Sequence, residues 1–297
     1  MRQNMLTSFQ LTRGLRDALG SGNLSMHYQP IVDLASLEVA GFEALMRWRG
    51  QHGEPVPPSL FIPLAEQSDL ICELGSFALK QAGLDAALWP KCPGSKARPF
   101  VSVNVSARQF HDRHLCQAIE SLLAATGLAP ERLVLEVTES AAFVDPAAAT
   151  EVISQLSCLN VAVALDDFGT GYSSLSHFTM LRPSIIKVDR SLACPATRDD
   201  FTRRLLEAVV SLGKTLGVTI VAEGIEAHEQ LAQLQSLGCD LGQGYLFSPA
   251  IPNQAVESHL LETDKWQPQP VARPYSAGPW GSKQGALQPS TSSASAI

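Results

Sequence analysis

The chain has 297 residues, 45% of them apolar, and a formal net charge of -7. That length supports one large core or two modest domains, and the negative balance excludes a protein that lives on nucleic-acid backbones, DNA included, or on anionic membranes. Six cysteines without CxxC spacing exclude a zinc ribbon or disulfide framework and fit reduced thiols in a cytoplasmic protein, while no apolar run reaches the ~18 residues of a membrane insertion or forms a signal-peptide core.

An amphipathic helix is predicted over 7–20, with Phe9, Leu11, Leu15 and Leu19 near one stripe. Met26–Val32 and Glu38–Leu45 read as strands, joined around Ala35-Ser36 by a turn short enough for an antiparallel hairpin. Ser59 is placed to cap a helix through Phe61–Glu66. A longer helix is predicted over Leu70–Trp89, closed by Pro90, Pro93 and Gly94. From there the rhythm is regular. Strands are predicted at Val101–Val105, Leu133–Val137, Val161–Leu165, Ile185–Asp189, Thr219–Gly224 and Gly242–Phe247, and helices at Leu115–Thr126, Ala147–Leu159, Asp199–Leu216 and His228–Leu237. Strand, polar residue at its carboxyl end, helix, repeated, is the pattern of a (β/α) barrel with its site on one rim. From residue 263 onward Pro, Ser, Gly, Ala and Gln dominate without periodicity, so 263–297 is expected to be a disordered tail.

The chain is organised around Val161–Leu165 and the residues that follow it, Asp166-Asp167-Phe168-Gly169-Thr170-Gly171. Two adjacent carboxylates at the end of a buried strand repel each other and resist desolvation, and a divalent cation relieves both. Taken alone, the stretch is equally well explained by Asp167 as a helix cap beside an exposed acid. The rest of the chain shifts the balance. Glu43, Asn104, Glu136, Asp166, Asp167, Lys187, Glu223 and Gln243 each lie within or just past a predicted strand, roughly 20 to 60 residues apart apart from the adjacent pair. Buried carboxylates cost several kcal/mol unless paired or metal-bound, and this set holds a single lysine. Oxygen donors without His or Cys suit Mg²⁺ or Mn²⁺ better than zinc. Gly169-Thr170-Gly171 imitates a dinucleotide-binding turn, but the acidic pair before it would repel a pyrophosphate.

These residues fall in motifs: Tyr28-Gln29-Pro30-Ile31, Glu43-Ala44-Leu45-Met46-Arg47, Phe61-Ile62-Pro63-Leu64-Ala65-Glu66, Ser102-Val103-Asn104-Val105-Ser106, Glu136-Val137-Thr138-Glu139, Asp166 to Leu175, Lys187-Val188-Asp189-Arg190-Ser191, Ala222-Glu223-Gly224-Ile225-Glu226 and Gln243-Gly244-Tyr245. Together they resemble the EAL-domain family of cyclic di-GMP phosphodiesterases over about residues 7–262, after a short extension at 1–6. The resemblance implies a modified TIM (β/α)8 barrel with one antiparallel strand, and two divalent cations, Mg²⁺ or Mn²⁺. Glu43, Asn104, Glu136, Asp166, Asp167 and Glu223 would be the metal ligands, with Glu43, Lys187 and Glu223 catalytic and Lys187 orienting the attacking water at a lowered pKa. Gln29, Arg47, Asp189 and Gln243 would hold cyclic di-GMP, and Glu139 would pin the Phe168 to Ser174 loop. The product would be linear pGpG and the working form a homodimer. Regulation is expected from dimerisation, the tail or a regulatory protein partner. The segment Phe247-Ser248-Pro249-Ala250-Ile251-Pro252 lacks the basic-Pro pair often found there, a departure that bears on substrate affinity. The rival reading is a non-catalytic receptor that signals through its dimer contacts.

Overall fold

The computed structural model describes residues 2–92, 97–169, 180–194 and 200–261. Strands β1 (Leu24–Asp33) and β2 (Val39–Arg49) form the expected antiparallel hairpin, with Gln29 opposite Glu43 and Ser25 opposite Arg47. The Asp33 carboxylate closes the turn by accepting from the amides of Ala35 and Ser36. A two-residue strand β3 (Pro55–Val56) pairs with the far end of β2.

Six strands follow in parallel from β2: β4 (Phe100–Asn104), β5 (Leu133–Thr138), β6 (Ala162–Phe168), β7 (Ile185–Val188), β8 (Thr219–Ala222) and β9 (Leu241–Gly242). Strand β9 then pairs antiparallel with β1, which already pairs with β2, so the sheet closes on itself. Eight strands make the barrel, and β1 is the one that runs against the others. A short β10 (Ile251–Pro252) pairs with the start of β1.

The period of two along each strand decides what faces the barrel axis. Ile186 and Val188 of β7, Val163 and Leu165 of β6, Leu133, Leu135 and Val137 of β5, and Val101 and Val103 of β4 all belong to one apolar cluster against the outer helices. The alternate residues Lys187, Asp166, Glu136 and Ser102 therefore point inward. Beneath them Ile31, Val221 and Leu241, with Ala40, Phe100 and Ile185 packed alongside, form a separate apolar plug. The barrel is thus greasy outside, plugged at one end and polar at the other.

Helices Leu70–Leu88, Leu115–Thr126, Pro146–Cys158, Asp200–Leu216 and His228–Leu237 stand close to their predicted places. The N-terminal helix runs Arg2–Ser21, starting earlier than predicted. Its Leu15 and Ala18 join Trp48, Phe61, Leu70 and Leu74 in a second core, in which Trp48 and Phe61 meet edge to face at 5.7 Å.

Several expectations are corrected. Helix Pro58–Glu66 starts after Pro57 with no side-chain cap, so Ser59 lies inside it; a proline at the first turn costs the helix nothing there. Gly242–Phe247 is not a strand: pairing stops at Gly242 and a turn follows. The chain turns there against Ile225, whose amide donates to the Gln243 carbonyl and whose carbonyl accepts from Leu246, and the approach is close enough that a Cβ on Gly244 would lie 2.1 Å from the Ile225 carbonyl oxygen. Gly244→Ala is expected to cost about 1–3 kcal/mol by overpacking, measured as a lowered urea midpoint at unchanged slope. The predicted tail at 263–297, the start of a helix at Asp199, and the loop from Thr170 to Ser174 lie outside the described residues.

Candidate active site at the barrel rim

Lys187 is the centre of the rim. It is 1% exposed, and its ammonium lies 2.8 Å from Glu223 Oε1, 2.9 Å from Glu136 Oε2, 3.3 Å from Glu43 Oε2 and 3.6 Å from Asp166 Oδ1. These partners come from four different strands or their ends, which only the barrel brings together. Two amides complete the Glu43 carboxylate. Asn104 Nδ2 donates to Oε1 at 2.9 Å and Gln243 Nε2 to Oε2 at 2.7 Å.

Five carboxylates, counting Asp167, face one ammonium, and the proton affinities show the strain. Burial by itself would lower the Lys187 pKa, but Glu136, Glu43, Glu223 and Asp166 together hold it well above the usual lysine range. The lowered value expected from the sequence applies beside two cations; among the protein's own groups alone the carboxylates dominate. Burial pushes Glu136 well up, with Lys187 opposing and Glu43 and Asp166 adding to it. Burial likewise lifts Glu223 to about 7 against the pull of Lys187. Glu43 differs: burial raises it, but Lys187 and the Gln243 and Asn104 hydrogen bonds outweigh that and leave it below its usual value.

Asp167 reaches the rim by a local irregularity. It sits at φ 57°, where the β6–β7 register slips between Leu165 and Phe168. In a regular strand Asp166 and Asp167 would face opposite sides; the bulge inserts Asp167 as an extra residue. Burial and the nearby Asp166 and Asp189 charges raise its pKa, and the Asp167 amide donates to Asp166 Oδ1 at 2.9 Å. The segment from Thr170 on, where a helix capped by Asp167 would begin, lies outside the described residues.

Above these groups opens a cavity of about 380 Å³, lined among others by Gln29, Glu43, Asp166, Lys187, Glu223 and Tyr245. Leu45 lines it and also a neighbouring, mainly apolar groove of about 640 Å³ that includes Arg47 and Asn104.

The sequence matches the EAL domain family over residues 12–250. The chain belongs to the EAL domain family. It is 40% identical over 247 residues to an uncharacterised signalling protein of Caulobacter vibrioides, covering 83% of this chain and 30% of that one. It is 39% identical over 257 residues to MucR of Pseudomonas aeruginosa, a bifunctional diguanylate cyclase/cyclic di-GMP phosphodiesterase, covering 86% of this chain and 37% of that one. The chain therefore spans about a third of the length of these relatives. Among solved structures, the PaMucR phosphodiesterase in complex with c-di-GMP superposes with a TM-score of 0.77 at 38% identity, over 83% of this chain and 99% of that one.

The remaining site residues of this EAL domain divide. Gln29 reaches the rim, but its amide binds Gln243 and the Ser248 carbonyl. Arg47 is half-buried and donates to the Met46 carbonyl. Asp189 caps helix Arg190–Ala193 by accepting from the Ser191 amide, next to Arg190, which lines the cavity. Glu139 opens helix Glu139–Ala142. Arg190 and Glu226 form a two-pronged ion pair at the cavity edge. Both stood in recognised motifs, Lys187 to Ser191 and Ala222 to Glu226, but nothing in one sequence says that two exposed charges far apart will meet.

The donor set suits divalent cations. All the candidate ligands offer oxygen, and Asn104, whose nitrogen is used on Glu43, has its amide oxygen at the other end. No three of the described His, Cys, Asp and Glu side chains are arranged to hold a metal ion as they stand, because the carboxylates are gathered on the Lys187 ammonium. The excess of negative charge is what added cations would neutralise.

Proposed function

We propose that this EAL domain hydrolyses cyclic di-GMP to linear pGpG with two divalent cations, Mg²⁺ or Mn²⁺, as part of second-messenger signalling. The observation that carries the reading is the convergence of Glu43, Glu136, Asp166 and Glu223 on Lys187 at the open end of the barrel. Family membership and likeness to a phosphodiesterase solved with c-di-GMP support it. Glu43, Asn104, Glu136, Asp166, Asp167 and Glu223 would hold the cations, which supply activated water and neutralise phosphate charge.

The chain's own residues supply the rest. A phosphodiester carries a full negative charge and is a poor electrophile, so it must be held and its attacking water aligned. Lys187, fixed by four carboxylates, keeps its ammonium at the centre of the rim, where it orients that water by hydrogen bonding. Glu223, 2.8 Å from the Lys187 ammonium, is placed beside that water as well as on the cations. Arg47 offers a planar fork for a phosphate, and the charged floor beside an apolar groove matches a ligand that joins phosphates to flat bases. Asp189 and Gln243 are the further substrate contacts, and Glu139 positions the loop after Phe168.

We place the catalytic domain at 7–262 and assign a homodimer in the cytoplasm, open to a regulatory protein partner. Among the described residues no helix is long and apolar enough to cross a membrane. The test is chromatography of the products of purified protein with cyclic di-GMP and Mg²⁺ or Mn²⁺, with and without a chelator. A pGpG peak that the chelator abolishes is expected. Ligand binding without turnover in either metal would favour the receptor reading.

A further inference from the structure

Two one-turn helices stand behind the rim, each capped two residues past a candidate metal ligand. Asn104 ends β4 and Ser106 caps helix Ala107–Phe110; Glu136 lies on β5 and Thr138 caps helix Glu139–Ala142. The strands set the two units side by side, because Asn104 pairs with Glu136 and the Val105 amide donates to the Glu136 carbonyl at 2.8 Å. A single turn is not stable alone, since fixing its dihedrals costs more than one hydrogen bond returns. What keeps each helix in place has to come from its neighbours.

The two are secured unequally. Helix Ala107–Phe110 has a reciprocal cap: Ser106 Oγ accepts from the Gln109 amide while Gln109 Oε1 accepts from the Ser106 amide. Phe110 at its end is fully buried. Helix Glu139–Ala142 has half of that arrangement. Thr138 Oγ1 accepts from the Ala141 amide at 3.3 Å, and an alanine has no side chain to return the bond. The helix also closes weakly, with the Val144 amide 3.4 Å from the Ala141 carbonyl. That carbonyl receives a shorter bond from outside the helix, from His111 Nε2 at 2.9 Å. His111 ends the first helix; its amide donates to the Ala107 carbonyl at 3.1 Å, and its ring meets Phe110 edge to face at 5.6 Å. A carbonyl only accepts, so Nε2 carries the ring hydrogen. Nδ1 is buried and has no hydrogen-bond partner among the described residues, which leaves the ring a single polar anchor.

We infer that His111 is a positioning residue: through the Ala141 carbonyl it ties the helix that Glu139 opens to the helix that follows Asn104. It is not among the residues lining either cavity, so it acts through what it holds. Glu139 stands three residues past Glu136, and slack in its helix reaches the end of β5 directly. The consequence for metal binding and turnover rests on the phosphodiesterase reading, in which Glu139 positions the loop that follows Asp167 and Phe168.

The test compares His111→Leu and His111→Gln in the full chain. Glutamine puts an NH₂ near the place of Nε2; leucine puts nothing polar there. Mn²⁺ alone, titrated calorimetrically without substrate, is expected to bind His111→Leu about tenfold more weakly than parent, the lower end of what losing a supporting partner costs. His111→Gln should stay within about threefold of parent. Turnover of cyclic di-GMP by His111→Leu should need about tenfold more Mn²⁺ for half its maximum, with KM within about twofold at saturating metal. A merely structural histidine would lower the urea midpoint and leave the Mn²⁺ affinity where it was, and that result overturns the inference. So does His111→Gln binding Mn²⁺ as weakly as His111→Leu. If His111→Leu fails to fold, the parent's imidazole ¹⁵N spectrum decides together with His111→Gln: a hydrogen on Nδ1 is the overturning result and one on Nε2 the expected one. Parent protein that binds Mn²⁺ without turning over cyclic di-GMP would sink the phosphodiesterase reading instead, leaving the binding comparison to judge the tether.

Discussion

Lys187→Met is expected to abolish turnover of cyclic di-GMP and to destabilise metal-free protein by about 3–5 kcal/mol, the cost of removing one partner from a buried ionic group. Among the described residues the ammonium is the only cationic group in the ion pairs of the inner rim, and it touches Glu43, Glu136, Asp166 and Glu223 at once. Methionine keeps the length of the stem and discards the charge. The carboxylates must then take up protons or repel one another. Mg²⁺ or Mn²⁺ at millimolar concentration should restore part of the stability, because a bound cation replaces the missing charge and binds only the folded state. Thermal or urea unfolding with chelator and with metal, for parent and variant, measures both effects. A variant as stable as the parent in chelator would mean that the rim does not depend on Lys187, and the account of the site would fail.

How much of this was legible beforehand differs from residue to residue. Glu136, Asp166 and Lys187 were readable because each interrupts or ends an apolar strand, and period-two alternation then forces them onto the barrel axis together. The parallel strands and long helices followed from the same patterns. Short elements did not. Helices Ala107–Phe110, Glu139–Ala142 and Arg190–Ala193 are about one turn long, too short to show a helical period, and tertiary contacts and caps such as Ser106, Thr138 and Asp189 hold them. The C-terminal helix Asn253–Leu261 escaped because only Val256 and Leu260 of its residues are buried, a stripe too thin to register.

The bulge at Asp167 was also illegible, since two consecutive aspartates look alike and backbone strain leaves no mark in the sequence. Hydrogen bonds between distant residues were hidden for a different reason. Gln29, Gln243 and Ser248 became one unit only after β1 had closed the barrel between β2 and β9. Sequence motifs named the members of the site; closure of the sheet assigned their partners.

Glu43→Gln should reduce turnover by at least about 100-fold, beyond the upper end of what losing a supporting partner costs, and leave the protein folded. Glu43 accepts hydrogen bonds at both oxygens, from Asn104 and from Gln243. A glutamine there can accept at only one. Gln243 is tied through Gln29 to a main-chain carbonyl and cannot turn over, so the new NH₂ must face Asn104, which lies at the exposed edge and can rotate its amide to accept. The substitution is therefore absorbed structurally while the anionic oxygen is lost. Glu43→Ala removes both acceptors and leaves one N–H of the buried Gln243 amide without its acceptor, so it should lose activity equally but cost about 1–3 kcal/mol more in stability. Measuring kcat/KM beside urea midpoints for the two variants separates chemistry from folding. If Glu43→Gln collapsed the melting transition, or retained more than about a tenth of parent turnover, Glu43 would be a structural member of the rim and not part of its chemistry.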